Sequence, residues 1–89
     1  MKTEKMKNEA SELFKANSFP EALAKFSECL TLDHLNRQYN STILFNRAIV
    51  YSRISQNTEA IADLSEAIKL NDDYTKAYIK RGDIYMSLV

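Results

Sequence analysis

Lys76 and Lys80 stand one helical turn apart in the stretch YTKAYIKRGDIYM, which runs from Tyr74 to Met86. Like charges at that spacing cost an isolated helix roughly 0.2–0.5 kcal/mol. Two arrangements relieve the repulsion. Asp72 can pair with Lys76 at i,i+4, and Lys80 with Asp83 at i,i+3, which makes a solvated, salt-laced face. Alternatively, an anion lies between the two ammonium groups and accepts charge-assisted hydrogen bonds from both. Lys7 and Ser11 repeat the i,i+4 spacing near the other end of the chain, and Asn46 offers an amide in the middle.

Other reactive side chains are scarce. Cys29 is the only cysteine, so no intramolecular disulfide forms, which fits a reducing, cytoplasmic compartment. His34 is the only histidine and has no second imidazole or thiol beside it, so no metal site is expected. There is no Gly-rich phosphate loop, no nucleophile elbow and no acid/base pair. We therefore expect no enzyme activity, no catalytic residue and no cofactor.

The elements that must position the donors are helices. Gly82 and Pro20 are the only glycine and proline, too few turn residues for a sheet, so an all-α protein is predicted. Its 89 residues allow one domain, and an apolar fraction of 45% is ordinary for a folded chain. No apolar run is long enough to span a bilayer, and MKTEKMKNEASE carries acids where a secretory signal would be apolar. Twelve basic and twelve acidic residues cancel, which argues against nucleic-acid or membrane-surface binding.

The helices come in a repeat. Leu13 and Tyr51 are spaced i,i+38, and Tyr51 and Tyr85 i,i+34. Ala10, Ala48 and Gly82 keep the same two spacings. Ala22 and Ala60, Phe26 and Leu64, and Cys29 and Ala67 are again spaced i,i+38. The unit therefore recurs at i,i+34, and the longer spacing is assigned to an insertion in the polar stretch from Asp33 to Asn40. Repeat 1 covers about 3–36, repeat 2 about 41–72, and a partial repeat 3 about 73–89, in one domain over 1–89. Helices are expected over 3–16, 20–32, 42–55 and 58–70, and from Asp73 onward. Pro20 suits a first helical turn, and Asn57 or Thr58 an N-cap. Ala10, Ala48 and Gly82 are expected where backbones approach closely. Tyr51, Tyr78 and Tyr85 are expected to pack, with Tyr74 near the same stripe.

A helix–turn–helix unit of this length, with Ala-x-x-x-Phe in its second helix, resembles the tetratricopeptide repeat. The matching residues are Ala10, Leu13, Ala22, Phe26 and Cys29 in the first copy. In the second they are Leu44, Ala48, Tyr51, Ala60, Leu64 and Ala67, and in the third Tyr78, Gly82 and Tyr85. His34 and Asp72 stand where the family usually has proline. The resemblance implies a superhelix whose first helices line a concave, peptide-binding groove. In co-chaperones of this family a carboxylate clamp takes Lys and Asn from copy one, Asn from copy two, and Lys and Arg from copy three. In that register Lys7, Asn46 and Lys76 match, Lys80 stands for Arg, and Ser11 stands for Asn. A hydroxyl donates one hydrogen bond where an amide donates two, so weaker binding is expected.

The implied ligand is the Glu-Glu-Val-Asp tail of the 70- and 90-kDa heat-shock chaperones. The alternative is a repeat scaffold that binds an internal segment of another protein without the clamp. The stretches ELFKANSFPEALAKFSECLTLD, LFNRAIVYSRI and EAIADLSEAIKLNDDYTKAYIKRGDIYM look like the repeat region of J-domain co-chaperones, and this chain would then be part of a longer protein. A third repeat with one helix leaves Tyr85, Met86, Leu88 and Val89 partly uncovered, so fraying or self-association through that helix is expected.

Overall fold

The computed structural model describes residues 2–88, without the side chain of Lys2. Five helices follow one another: α1 (Lys2–Lys15), α2 (Phe19–Cys29), α3 (Arg37–Arg53), α4 (Asn57–Leu70) and α5 (Thr75–Ser87). Each packs on the next, and α1 also touches α3. The result is an all-α array measuring 41 × 29 × 16 Å.

The repeat extends to the way the chain turns. Asn17 and Ser55 are spaced i,i+38, and both adopt left-handed backbone, with φ of 62° and 63°. After α1, Ser18 N–H donates to the Leu13 carbonyl at 2.8 Å and Asn17 N–H to Phe14 at 2.9 Å. After α3, Gln56 N–H donates to Tyr51 at 2.9 Å and Ser55 N–H to Ser52 at 3.2 Å. This pair of bonds is the Schellman motif, which uses the last carbonyls of a helix and reverses the chain. Asn tolerates the left-handed region, whereas serine carries steric strain there. The second helices then start without a side-chain cap, after Ser18 with Pro20 in the first turn, and after Gln56. The cap of α4 thus falls on Gln56 rather than on Asn57 or Thr58.

Two apolar clusters form the core. The first joins Ala10, Ala22, Phe26 and Cys29 of the first hairpin to Tyr39, Ile43 and Val50 of α3. The second joins Ala48, Ala60 and Leu64 to Ala77 and Ile84 of α5. Each hairpin is thus closed by one face of the helix that follows it. Burying the large side chains among them, Phe26, Ile43, Val50 and Leu64, is worth roughly 1.5–3 kcal/mol apiece. Cys29 is fully buried, and burial pushes its thiol pKa up, so it acts as a small apolar side chain.

Three further expectations change. First, the insertion is not all loop. The loop ends at Asn36, and residues 37–40 open α3, which has 17 residues against 14 in α1. Asn36 Oδ1 accepts the Tyr39 N–H at 3.0 Å as a cap, and the Tyr39 hydroxyl donates to the Thr3 carbonyl at 2.9 Å. Asn40 Nδ2 donates to the Asp33 carbonyl at 2.8 Å and Arg37 to the Lys69 carbonyl at 3.1 Å. A local cap and two long-range bonds together turn a polar, loop-like sequence into a helical turn.

Second, Gly82 allows no close approach. Ala10 and Ala48 are fully buried, but a Cβ on Gly82 would meet nothing within 4 Å. Third, the tyrosine stripe is not the packing face of α5. Ala77 and Ile84 are buried with Tyr74 against them, while Tyr78 and Tyr85 are 44% and 52% exposed. Leu13 and Tyr51, the counterparts of Tyr85, do pack. The difference is cover: α2 and α4 lie against that face of α1 and α3, and among the described residues no helix lies against it on α5. Met86 and Leu88 are exposed with Tyr85, as expected. Val89 lies outside the described residues.

Candidate functional site

The candidate donors ride on α1, α3 and α5, the first helix of each unit. These three form a row. Phe45 of α3 stacks on Tyr74 at the head of α5, with centroids 5.2 Å apart and planes at 31°. Burial pushes the Tyr74 phenol pKa up, as expected of a packed ring.

Ser11 and Asn46 come together. They line one hollow between α1 and α3, which Phe14, Lys15, Phe26 and Ile49 complete. Lys7 faces a neighbouring hollow with Thr3, Glu4, Asn36, Gln38, Tyr39 and Thr42. Its Nζ sits 3.3 Å from Glu4 Oε2, with 25% of the lysine side chain exposed. Lys76 is exposed and Lys80 half-buried on α5. Neither is in the hollow of Ser11 and Asn46, so the five residues are not gathered on one cavity wall. Among the described residues, the pairs Asp72–Lys76 and Lys80–Asp83 do not form. Among the described residues neither ammonium group is held in any other ion pair.

A second polar feature was not foreseen in the sequence. Arg47 makes two parallel bonds to Asp63, Nε to Oδ2 at 2.7 Å and Nη2 to Oδ1 at 2.8 Å, and a third to Ser27 Oγ at 3.1 Å. The Asp63 hydrogen bonds hold the guanidinium pKa above its ordinary value, against the pull of burial. One repeat on, Arg81 donates to Ser65 Oγ at 3.2 Å. Arg47 and Arg81 are spaced i,i+34, and Ser27 and Ser65 i,i+38, so the repeat spacing itself was the missed signal. Arg47 fastens α3 to α2 before it and to α4 after it, and Arg81 fastens α5 to α4.

The arrangement offers ammonium, hydroxyl and amide donors along a row of helices, above an apolar floor. That suits an extended anion with some apolar character. Among the described residues no cluster of three metal-ligating side chains occurs, and no helix is long and apolar enough to cross a membrane.

Solved structures share this architecture. The chain superposes on the first TPR domain of Spaghetti (RPAP3), bound to the HSP90 peptide SRMEEVD, with a TM-score of 0.86 and 30% identity, over 97% of this chain and 65% of that one. It matches the TPR2B domain of yeast Sti1, in complex with pHsp70, with a TM-score of 0.86 and 25% identity, over 99% and 67%. The chain is a tetratricopeptide-repeat domain. In sequence it is 35% identical over 80 residues to DnaJ homolog subfamily C member 7 of Mus musculus. That match covers 90% of this chain but only 16% of the relative's length. No protein-family model matches the chain.

Proposed function

We propose that this domain is a co-chaperone adaptor that grips the acidic C-terminal tail of a 70- or 90-kDa heat-shock chaperone. The observation that carries the reading is the likeness to a domain solved with the HSP90 peptide SRMEEVD, over 97% of this chain. In the proposed clamp Lys7, Ser11 and Asn46 hold the terminal carboxylate, and Lys76 and Lys80 hold the neighbouring acidic groups. That Lys76 and Lys80 have no ion-pair partner among the described residues supports the assignment. So does the shared hollow of Ser11 and Asn46, which offers apolar wall to an aliphatic side chain beside the carboxylate. The domain binds and does not turn over a substrate, and it works in the cytoplasm.

Isothermal titration with SRMEEVD as free acid and as C-terminal amide tests the reading. Binding of the free acid should fall by at least about tenfold on amidation, since charge-assisted hydrogen bonds are worth roughly 1.5–3 kcal/mol each. It should also weaken as salt rises. Equal affinity for acid and amide would sink the clamp and leave the scaffold reading.

A further inference from the structure

We propose that Glu4 is a built-in competitor for the peptide carboxylate: it holds Lys7 in an ion pair, and the ligand must displace it. The inference rests on the clamp reading and adds a residue to it. Glu4 Oε2 lies 3.3 Å from Lys7 Nζ. Glu4, Lys7 and Ser11 follow at i, i+3 and i+7, along one stripe of α1. Lys7 therefore has a carboxylate one turn before it and the hydroxyl of the proposed clamp one turn after it. In the structure it leans towards the carboxylate, and the hollow it lines does not include Ser11 or Asn46.

The repeat register gives an independent argument. Glu4 and Thr42 are spaced i,i+38, and Thr42 and Lys76 i,i+34. Glu4 thus occupies in α1 the position that Lys76 occupies in α5. At one register position the third unit presents a cation and the first an anion. The anion repels an acidic tail and neutralises the cation beside it. Binding is then an exchange of one carboxylate for another on Lys7. Salt weakens the internal pair as well as the peptide contact, so Glu4 also flattens the salt dependence of binding.

The test is titration of SRMEEVD free acid into the whole chain and into E4Q, K7A and E66Q. E66Q removes the acid of a pair with the same spacing, Glu66–Lys69 at 3.6 Å on α4, away from the proposed clamp. Thermal melts monitor folding, because Glu4 also lies in the first turn of α1, where an acid suits the helix dipole. E4Q should bind about three- to tenfold more tightly at low salt, the range expected of an exposed pair plus relief of repulsion. Its gain should vanish near 0.5 M salt, with E66Q unchanged throughout. E4Q binding no better than the parent, while K7A binds poorly, overturns the competitor and leaves the clamp standing. K7A binding as well as the parent, or no binding by any variant, overturns both.

Discussion

Ser11 is the residue at which this domain departs most from the clamp it resembles. It is half-buried in the hollow that it shares with Asn46, Phe14 and Ile49. A serine there offers one rotatable donor on a short stem, whereas asparagine reaches further and brings two N–H groups. Ser11→Asn should therefore tighten free-acid peptide binding by roughly three- to tenfold, one charge-assisted hydrogen bond less the entropy of ordering the longer side chain. Titration of the amidated peptide should show no such gain. An equal gain for both peptides would place residue 11 outside the carboxylate site. The candidate cations were legible at this scale because the repeat unit assigns each lysine a place in its helix. The engaged arginines were not, although Arg47 and Arg81 keep the i,i+34 spacing of the repeat. Whether a guanidinium is free or engaged depends on what the opposite helix offers, and Asp63 lies 16 residues from Arg47, across a hairpin whose register sequence alone does not fix.

Helix ends follow the same logic. The break after α1 was readable because Asn17-Ser18 interrupts an apolar period, yet the matching break at Ser55 carries neither glycine nor asparagine. It is legible only through its i,i+38 spacing from Asn17. The start of α3 departs from the expected position for a different reason. Asp33, His34, Asn36 and Gln38 look like a loop by composition, and the helix wins because Asn36 caps it and Tyr39 is drawn into the first core cluster. Local propensity yields to tertiary bonds of this kind. Asn36→Ala should thus cost about 1 kcal/mol, the usual worth of an N-cap, read as a lower midpoint in urea. If α3 instead owed its first turn to Tyr39 packing alone, the midpoint would not move. Gly82 marks the limit of such reading: a small residue signals close approach only when something is there to approach.

At the scale of the molecule, the proposed ligand bridges elements of unequal support. α1 and α3 are tied together through the first core cluster, whereas α5 is buried only through Ala77 and Ile84, with Tyr74 on Phe45. Its remaining apolar side chains are open, with Ile79 59% and Met86 78% exposed. Helices with few buried contacts open at lower free energy than the rest of a fold. Amide exchange should therefore be fastest in α5 and slowest around Phe26, Ile43 and Leu64. A peptide that spans Lys7 on α1 and Lys76 and Lys80 on α5 binds only when α5 is folded, so it must stabilise that helix by mass action. At a free peptide concentration near 100 times Kd the gain is about 2.7 kcal/mol. For a domain of this size that raises Tm by roughly 10–20 °C and slows α5 exchange by about a hundredfold. Lys76→Ala should remove most of that protection from α5 while leaving exchange in the free protein unchanged, because Lys76 makes no ion pair among the described residues. Protection confined to α1 and α3, with α5 exchanging as fast as before, would mean that the peptide does not reach the third repeat. The anion between Lys76 and Lys80 would then have to come from another source.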